Sequence, residues 1–192
     1  MNKLTRWTGC FLLALYMTGC VPSLHPLYTD ADLVFNLSLL GVWSKDKDTK
    51  ETWTFNTQDE QSYNLVFTDN EGKTGEFSAH LLKVKDTLFL DLYPAEAKLT
   101  QNDFYKMHLV RAHTFMWVKQ IQPTLQMTCL DADWTKKFLE TNPTAVRHEK
   151  TEDNGIVLTA APKELQAFLL ANLNTKGAFG EPMNLTHKNK TP

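Results

Sequence analysis

The 192-residue sequence predicts a mainly β fold, an antiparallel barrel or sandwich with two short helices packed on it. Three observations predict it. Apolar and polar residues alternate in short runs from Gly41 onward, the period of a half-buried strand. Turn signals recur at close intervals, among them Asp69-Asn70-Glu71-Gly72 and Asp153-Asn154-Gly155. Only two stretches switch to the three-and-four spacing of an amphipathic helix.

The elements follow in order. Thr52-Trp53-Thr54-Phe55 and Tyr63-Asn64-Leu65 alternate, and Gly75-Glu76-Phe77-Ser78-Ala79 lies beyond the 69–72 hairpin loop. Lys85-Asp86 marks the next turn, before a strand over Thr87–Leu92. Tyr105–Arg111, Thr114–Ile121 and Thr124–Leu130 read as three further strands, with Pro123 separating the last pair. Asp131 is placed to cap a helix whose apolar stripe is Trp134, Phe138 and Leu139, ending near Pro143. Asp153-Asn154-Gly155 joins Ala145–Lys150 to Ile156–Thr159 as a hairpin. A second helix begins around Pro162, carries Leu165, Phe168, Leu169 and Leu173 on one face, and stops by Gly177. Thr87–Leu92 and Phe115–Val118 are apolar on both faces. That pattern puts one face inside a barrel and the other beneath the second helix. No internal repeat is present, which argues against a solenoid or propeller.

The N-terminus has a different character. Lys3 and Arg6 precede an apolar run over Trp7–Met17, densest from Phe11. A basic start, a short apolar run and small residues are the parts of a secretory signal. The run is short of the ~20 apolar residues that span a bilayer. Its continuous apolar character, closed by Gly19 and Pro22, is unlike a buried amphipathic helix. Met17-Thr18-Gly19-Cys20 resembles the lipobox of bacterial lipoproteins. The resemblance implies a diacylglyceryl thioether on Cys20, cleavage before it and acylation of the new amine. Two acyl chains already anchor a protein stably, so three hold it permanently. Val21 stands where an Asp would signal retention at the inner membrane, so for a two-membrane bacterium the resemblance implies the outer membrane. The expected organisation is therefore a signal over 1–19, a lipidated N-terminus and tether over 20–38, and one β-rich domain over 39–192. Pro22 and Pro26 keep the start of the tether extended.

Removing the signal takes Lys3 and Arg6 from the 20 bases, leaving 18 against 22 acids. A net acidic chain without clustered bases lacks the footprint of a nucleic-acid binder. Of the three cysteines, Cys10 leaves with the signal and Cys20 is assigned to lipid. Cys129 is then expected to have no bridge partner and to act as a small buried hydrophobe.

Leu40-Gly41-Val42-Trp43 opens the first strand and resembles the Gly-x-Trp start of lipocalin-type barrels. In that family the Trp plugs the closed end, and an Arg from a late strand packs on it. The stretch from His25-Pro26-Leu27-Tyr28-Thr29 through Asp32-Leu33-Val34-Phe35 to Trp43 is similar to a group of bacterial lipoproteins with no assigned activity. That likeness transfers no functional residue.

Signatures of catalysis are absent from the sequence: no Gly-x-Ser-x-Gly, no His-Glu-x-x-His and no phosphate-cradling glycine loop. His80, His108 and His113 lack recognised ligand spacing, and His108 and His113 would face opposite sides of one strand. Asp30-Ala31-Asp32 and Asp131-Ala132-Asp133 begin like calcium loops but lack the required Gly and terminal Glu. No catalytic, cofactor or metal site is assigned; the assigned residue is Cys20, as lipid attachment. The expected function is non-enzymatic binding of an apolar small molecule or lipid by a membrane-anchored envelope protein. The alternative is a structural or assembly partner at the outer membrane.

Overall fold

The alternating runs from Gly41 onward pair with their neighbours and close on themselves. The computed structural model describes residues 19–46, 48–97 and 99–188. Eight antiparallel strands form a closed barrel: β1 (Gly41–Ser44), β2 (Thr52–Thr57), β3 (Tyr63–Thr68), β4 (Thr74–Val84), β5 (Thr87–Pro94), β6 (Thr114–Gln120), β7 (Thr124–Cys129) and β10 (Met183–His187). The last strand, β10, lies between β1 and β7 and shuts the ring. Between β7 and β10 the chain forms α2 (Ala132–Thr141), a hairpin of β8 (His148–Lys150) and β9 (Ile156–Leu158), and α3 (Pro162–Asn172).

Local chemistry accounts for these boundaries. The Asp131 carboxylate accepts the Trp134 N–H at 2.7 Å and caps α2, and Pro162 occupies the first turn of α3. Asn154 adopts φ +64° in the β8–β9 turn, and Lys85 adopts φ +54° between β4 and β5. Asn tolerates the left-handed region better than most residues, which suits it to that turn.

Two apolar layers share the sheet. Alternate residues point inward, and Trp43, Phe55, Tyr63, Leu65, Leu81, Leu90, Leu125 and Met127 fill the barrel almost without exposure. The opposite faces of β4, β5 and β6 present Leu82, Phe89, Phe115 and Trp117 to an outer cluster. Leu165, Phe168 and Leu169 of α3 and Leu139 of α2 cover them. The strands that are apolar on both faces are thus buried on both faces.

Three expectations are corrected. Tyr105–Arg111 is not a strand; α1 (Asp103–Lys106) and irregular chain link β5 to β6 instead. Residues in the 20–38 segment, expected to be a tether, are packed against the barrel, with Val21, Ser23 and Leu27 buried. This strap runs down the outside of the barrel: Ser23 pairs with His113, Leu33 pairs with Leu82, and the Asn36 N–H donates to the Tyr63 hydroxyl at 2.7 Å. The third correction concerns Cys129 and is taken up with the site. The predicted signal, apart from Gly19, lies outside the described residues.

Candidate functional site

The strand registers give the barrel two unlike ends. At one end, the chain enters β1 through Leu39 and Leu40, and β10 finishes at His187. Trp43 is buried there, and its indole N–H donates to the Leu39 carbonyl at 2.8 Å. The His187 ring packs edge-on to Trp43 at 4.9 Å and hydrogen-bonds the Leu40 carbonyl at 3.1 Å. The residue that packs on this Trp from the last strand is thus a His, not the Arg that the resemblance implied. A side chain at Gly41 would put Cβ 2.2 Å from His187 Nε2, and φ there is +115°. Only glycine fits both demands. This end is shut.

The opposite end holds the β1–β2 and β3–β4 connections, the long β5–β6 connection and the segments flanking α2 and α3. Met116, Met127 and Cys129 point into the barrel from β6 and β7, and Met183 joins them across β10. Around them opens a groove of about 500 Å³, lined also by Leu130, Phe179 and Glu181. Residues 177–180 form its wall: the Gly180 N–H donates to the Cys129 carbonyl at 3.0 Å, and the Thr128 hydroxyl donates to the Gly180 carbonyl at 2.6 Å. Met116 and Met127 are themselves buried and floor the groove, while the partly buried Met183 brings an adaptable thioether to its rim. The groove is shallow, because the interior beneath it is filled by side chains.

Cys20 stands at this mouth. It bridges Asp131, and its sulfur is bonded to that of Cys129, with Cα atoms 5.5 Å apart. The expectation that Cys129 lacks a bridge partner is thus corrected. The cause is the strap, which folds back across the end of β7 and joins residues 109 positions apart. A second groove, of about 380 Å³, opens beside Cys20 between Ala132, Lys136 and the β8–β9 turn. A thioether to lipid and a bond to Cys129 are mutually exclusive uses of one sulfur.

Beneath the strap, the structure gathers two of the three candidate histidines. Asp91 of β5 is fully buried; its Oδ1 lies 2.7 Å from His113 Nδ1, and its Oδ2 accepts the Leu27 N–H at 2.7 Å. His80 is opposite Asp91 in the β4–β5 register and stacks on Tyr28 at 4.4 Å, while Tyr93 covers His113. Burial pushes the His80 pKa down, against the opposing pull of Asp91 and Asp59. His108 is elsewhere, packed on Phe104 in the exposed β5–β6 connection. Among the described residues, no group of three His, Cys, Asp or Glu is arranged to hold a metal ion. The nearby Ser23 hydroxyl donates to the His25 carbonyl and not to the Asp91–His113 couple. The cluster fastens the strap.

No family model matches the chain, and no curated protein or solved structure matches it either.

Asp32, one of the calcium-like acids, also serves the strap. Although burial works in the other direction, hydrogen bonds from Thr29, Lys163 and Gln166 hold its carboxyl well below the usual carboxylate range. Gln166 of α3 donates to both Asp32 and the Leu27 carbonyl at 2.8 Å, tying helix to strap. Asp131, the start of the other calcium-like pair, caps α2. Sequence reasoning missed the Asp91 cluster and the methionine mouth. An Asp within the apolar run Leu88–Leu92 was the available sequence signal for the first.

Proposed function

We propose that the chain is a lipoprotein of the bacterial cell envelope, anchored through Cys20, that binds an apolar small molecule or lipid at the open mouth of its barrel. The carrying observation is the groove formed by Met116, Met127, Met183 and Phe179 beside Cys20. The lining is mixed, with Met183, Leu130 and Phe179 beside Thr128, Asp131 and Glu181, which suits a ligand with an apolar body and a polar end. The filled interior argues for a ligand seated at the rim, not enclosed in a lumen. In this reading the thioether takes the place of the Cys20–Cys129 bond that the structure holds, Cys129 is left a free thiol in the envelope, and the outer membrane is the address. The role is non-enzymatic, with no catalytic residue assigned.

Native mass spectrometry of the protein extracted from the envelope tests the reading. A retained apolar mass that is lost in Met183→Ser supports it, and a protein without any bound mass overturns it. The same filled interior favours a second reading, a structural or assembly partner at the outer membrane. Because the barrel closes on itself, such a partner would pair with the edge of the β8–β9 hairpin or dock on side chains. Cross-linking in intact cells that yields no protein partner would sink this alternative.

A further inference from the structure

We infer that the β5–β6 connection is a bilayer-contacting loop, and that the barrel stands mouth-down on the membrane. The observation is a concentration of bare apolar side chains in one short turn. Phe104, Met107 and Val110 are 74%, 71% and 75% exposed, and Tyr105 and Leu109 are about half exposed. The turn itself is well made. The Asn102 side chain accepts the Tyr105 N–H at 2.9 Å, and successive main-chain bonds follow from Lys106 to Leu109. The backbone is therefore satisfied locally while the large side chains find no cover from the rest of the protein. Contiguous apolar surface of this kind marks an interaction site, and aromatic residues with a polar tip suit the membrane interface.

Position selects a bilayer as the occupant. The connection leaves β5 at Pro94 and enters β6 at Thr114, at the barrel end where Met116 pairs with Cys129. Its last residue, His113, exchanges main-chain hydrogen bonds of 2.8 and 2.9 Å with Ser23, three residues from Cys20. Leu24, next along the strap, is also exposed. The inference rests on the anchored reading for its direction: chain or lipid attached at Cys20 enters the membrane beside this loop. Partial burial of an apolar loop then adds to the anchor and fixes the tilt of the domain. Leu37 is a built-in control. It is 73% exposed, yet it lies at the shut end, before β1.

The test places a benzophenone side chain at position 110 or position 37 of the full chain. Cells are then irradiated, and the adducts are read by mass spectrometry. The expected result is several-fold more phospholipid adduct at 110 than at 37. Equal adduct at the two positions, no lipid adduct at 110, or adduct at 110 to protein instead of lipid overturns the inference; the last points to a protein partner. The lipid mass of the Cys20 peptide is read in the same sample and judges the anchor separately. Phospholipid adduct at 110 without that mass would support the loop and overturn the anchor. A lipidated Cys20 peptide without adduct at 110 would do the reverse.

Discussion

Both ends of the barrel carry large apolar side chains and use them in opposite ways. At the shut end, Trp43 is buried, hydrogen-bonded to Leu39 and packed against His187, and Gly41 leaves room for that contact. At the mouth, Met116, Met127 and Met183 border an open groove, and the 95–113 connection holds large apolar residues in solvent. Rigid aromatic packing with satisfied polar atoms makes a plug. The partly exposed Met183 thioether and the uncovered side chains of the connection make a surface that can accept another molecule. The strap connects the ends on the outside of the barrel, held by buried Asp91 and by Gln166.

Substitutions should separate these regions. The largest loss is expected at the plug, where Trp43→Ala empties a fully buried site and should cost about 3–5 kcal/mol by chemical denaturation. A smaller change there than at the mouth would break the comparison. Asp91→Ala comes next, at about 2–4 kcal/mol, because it leaves His113 and the Leu27 N–H buried without their partner. Hydrogen exchange should show that loss concentrated in residues 21–34, and uniform deprotection would contradict a fastening role. Met183→Ser at the mouth should cost about 1 kcal/mol or less, since the residue is only partly buried. Its larger effect should be on retained apolar mass.

The smallest effect is a pH slope. His80 has its pKa lowered in the fold by burial, so its contribution is full above the unfolded value near 6.5 and is lost as pH falls below it. The melting temperature should therefore drop by a few degrees between pH 7 and pH 5.5. His80→Phe, which keeps a ring against Tyr28, should flatten that slope. An unchanged slope would assign it to other groups.

Much of the barrel was legible because its signals are local. Alternation in β2, β3 and β7, the Asn154 turn, the Asp131 cap and Pro162 each act within a few residues. The doubly apolar β5 and β6 even announced the outer layer beneath α3. Tyr105–Arg111 misled because Tyr105, Met107 and Leu109 alternate with Lys106 and His108, although no neighbouring strand pairs with them. β10 escaped notice because five residues, mostly polar, become a strand only by filling the gap between β1 and β7. The Cys20–Cys129 contact and the Asp91 cluster depend on where the strap lies, which no spacing in the sequence encodes. His80 and His113 were named as candidates, yet their meeting at Asp91 requires three adjacent strands in register.

The anchor turns on the sulfur of Cys20, which sequence resemblance assigns to lipid and which the fold brings to Cys129. The direct measurement is the mass of the N-terminal peptide of the protein taken from the envelope under non-reducing conditions, with free thiols alkylated. The account predicts a peptide that begins at Cys20 and carries acyl mass, with Cys129 alkylated. A peptide without lipid, joined to the Cys129 peptide by a bond that reductant cleaves, would contradict it.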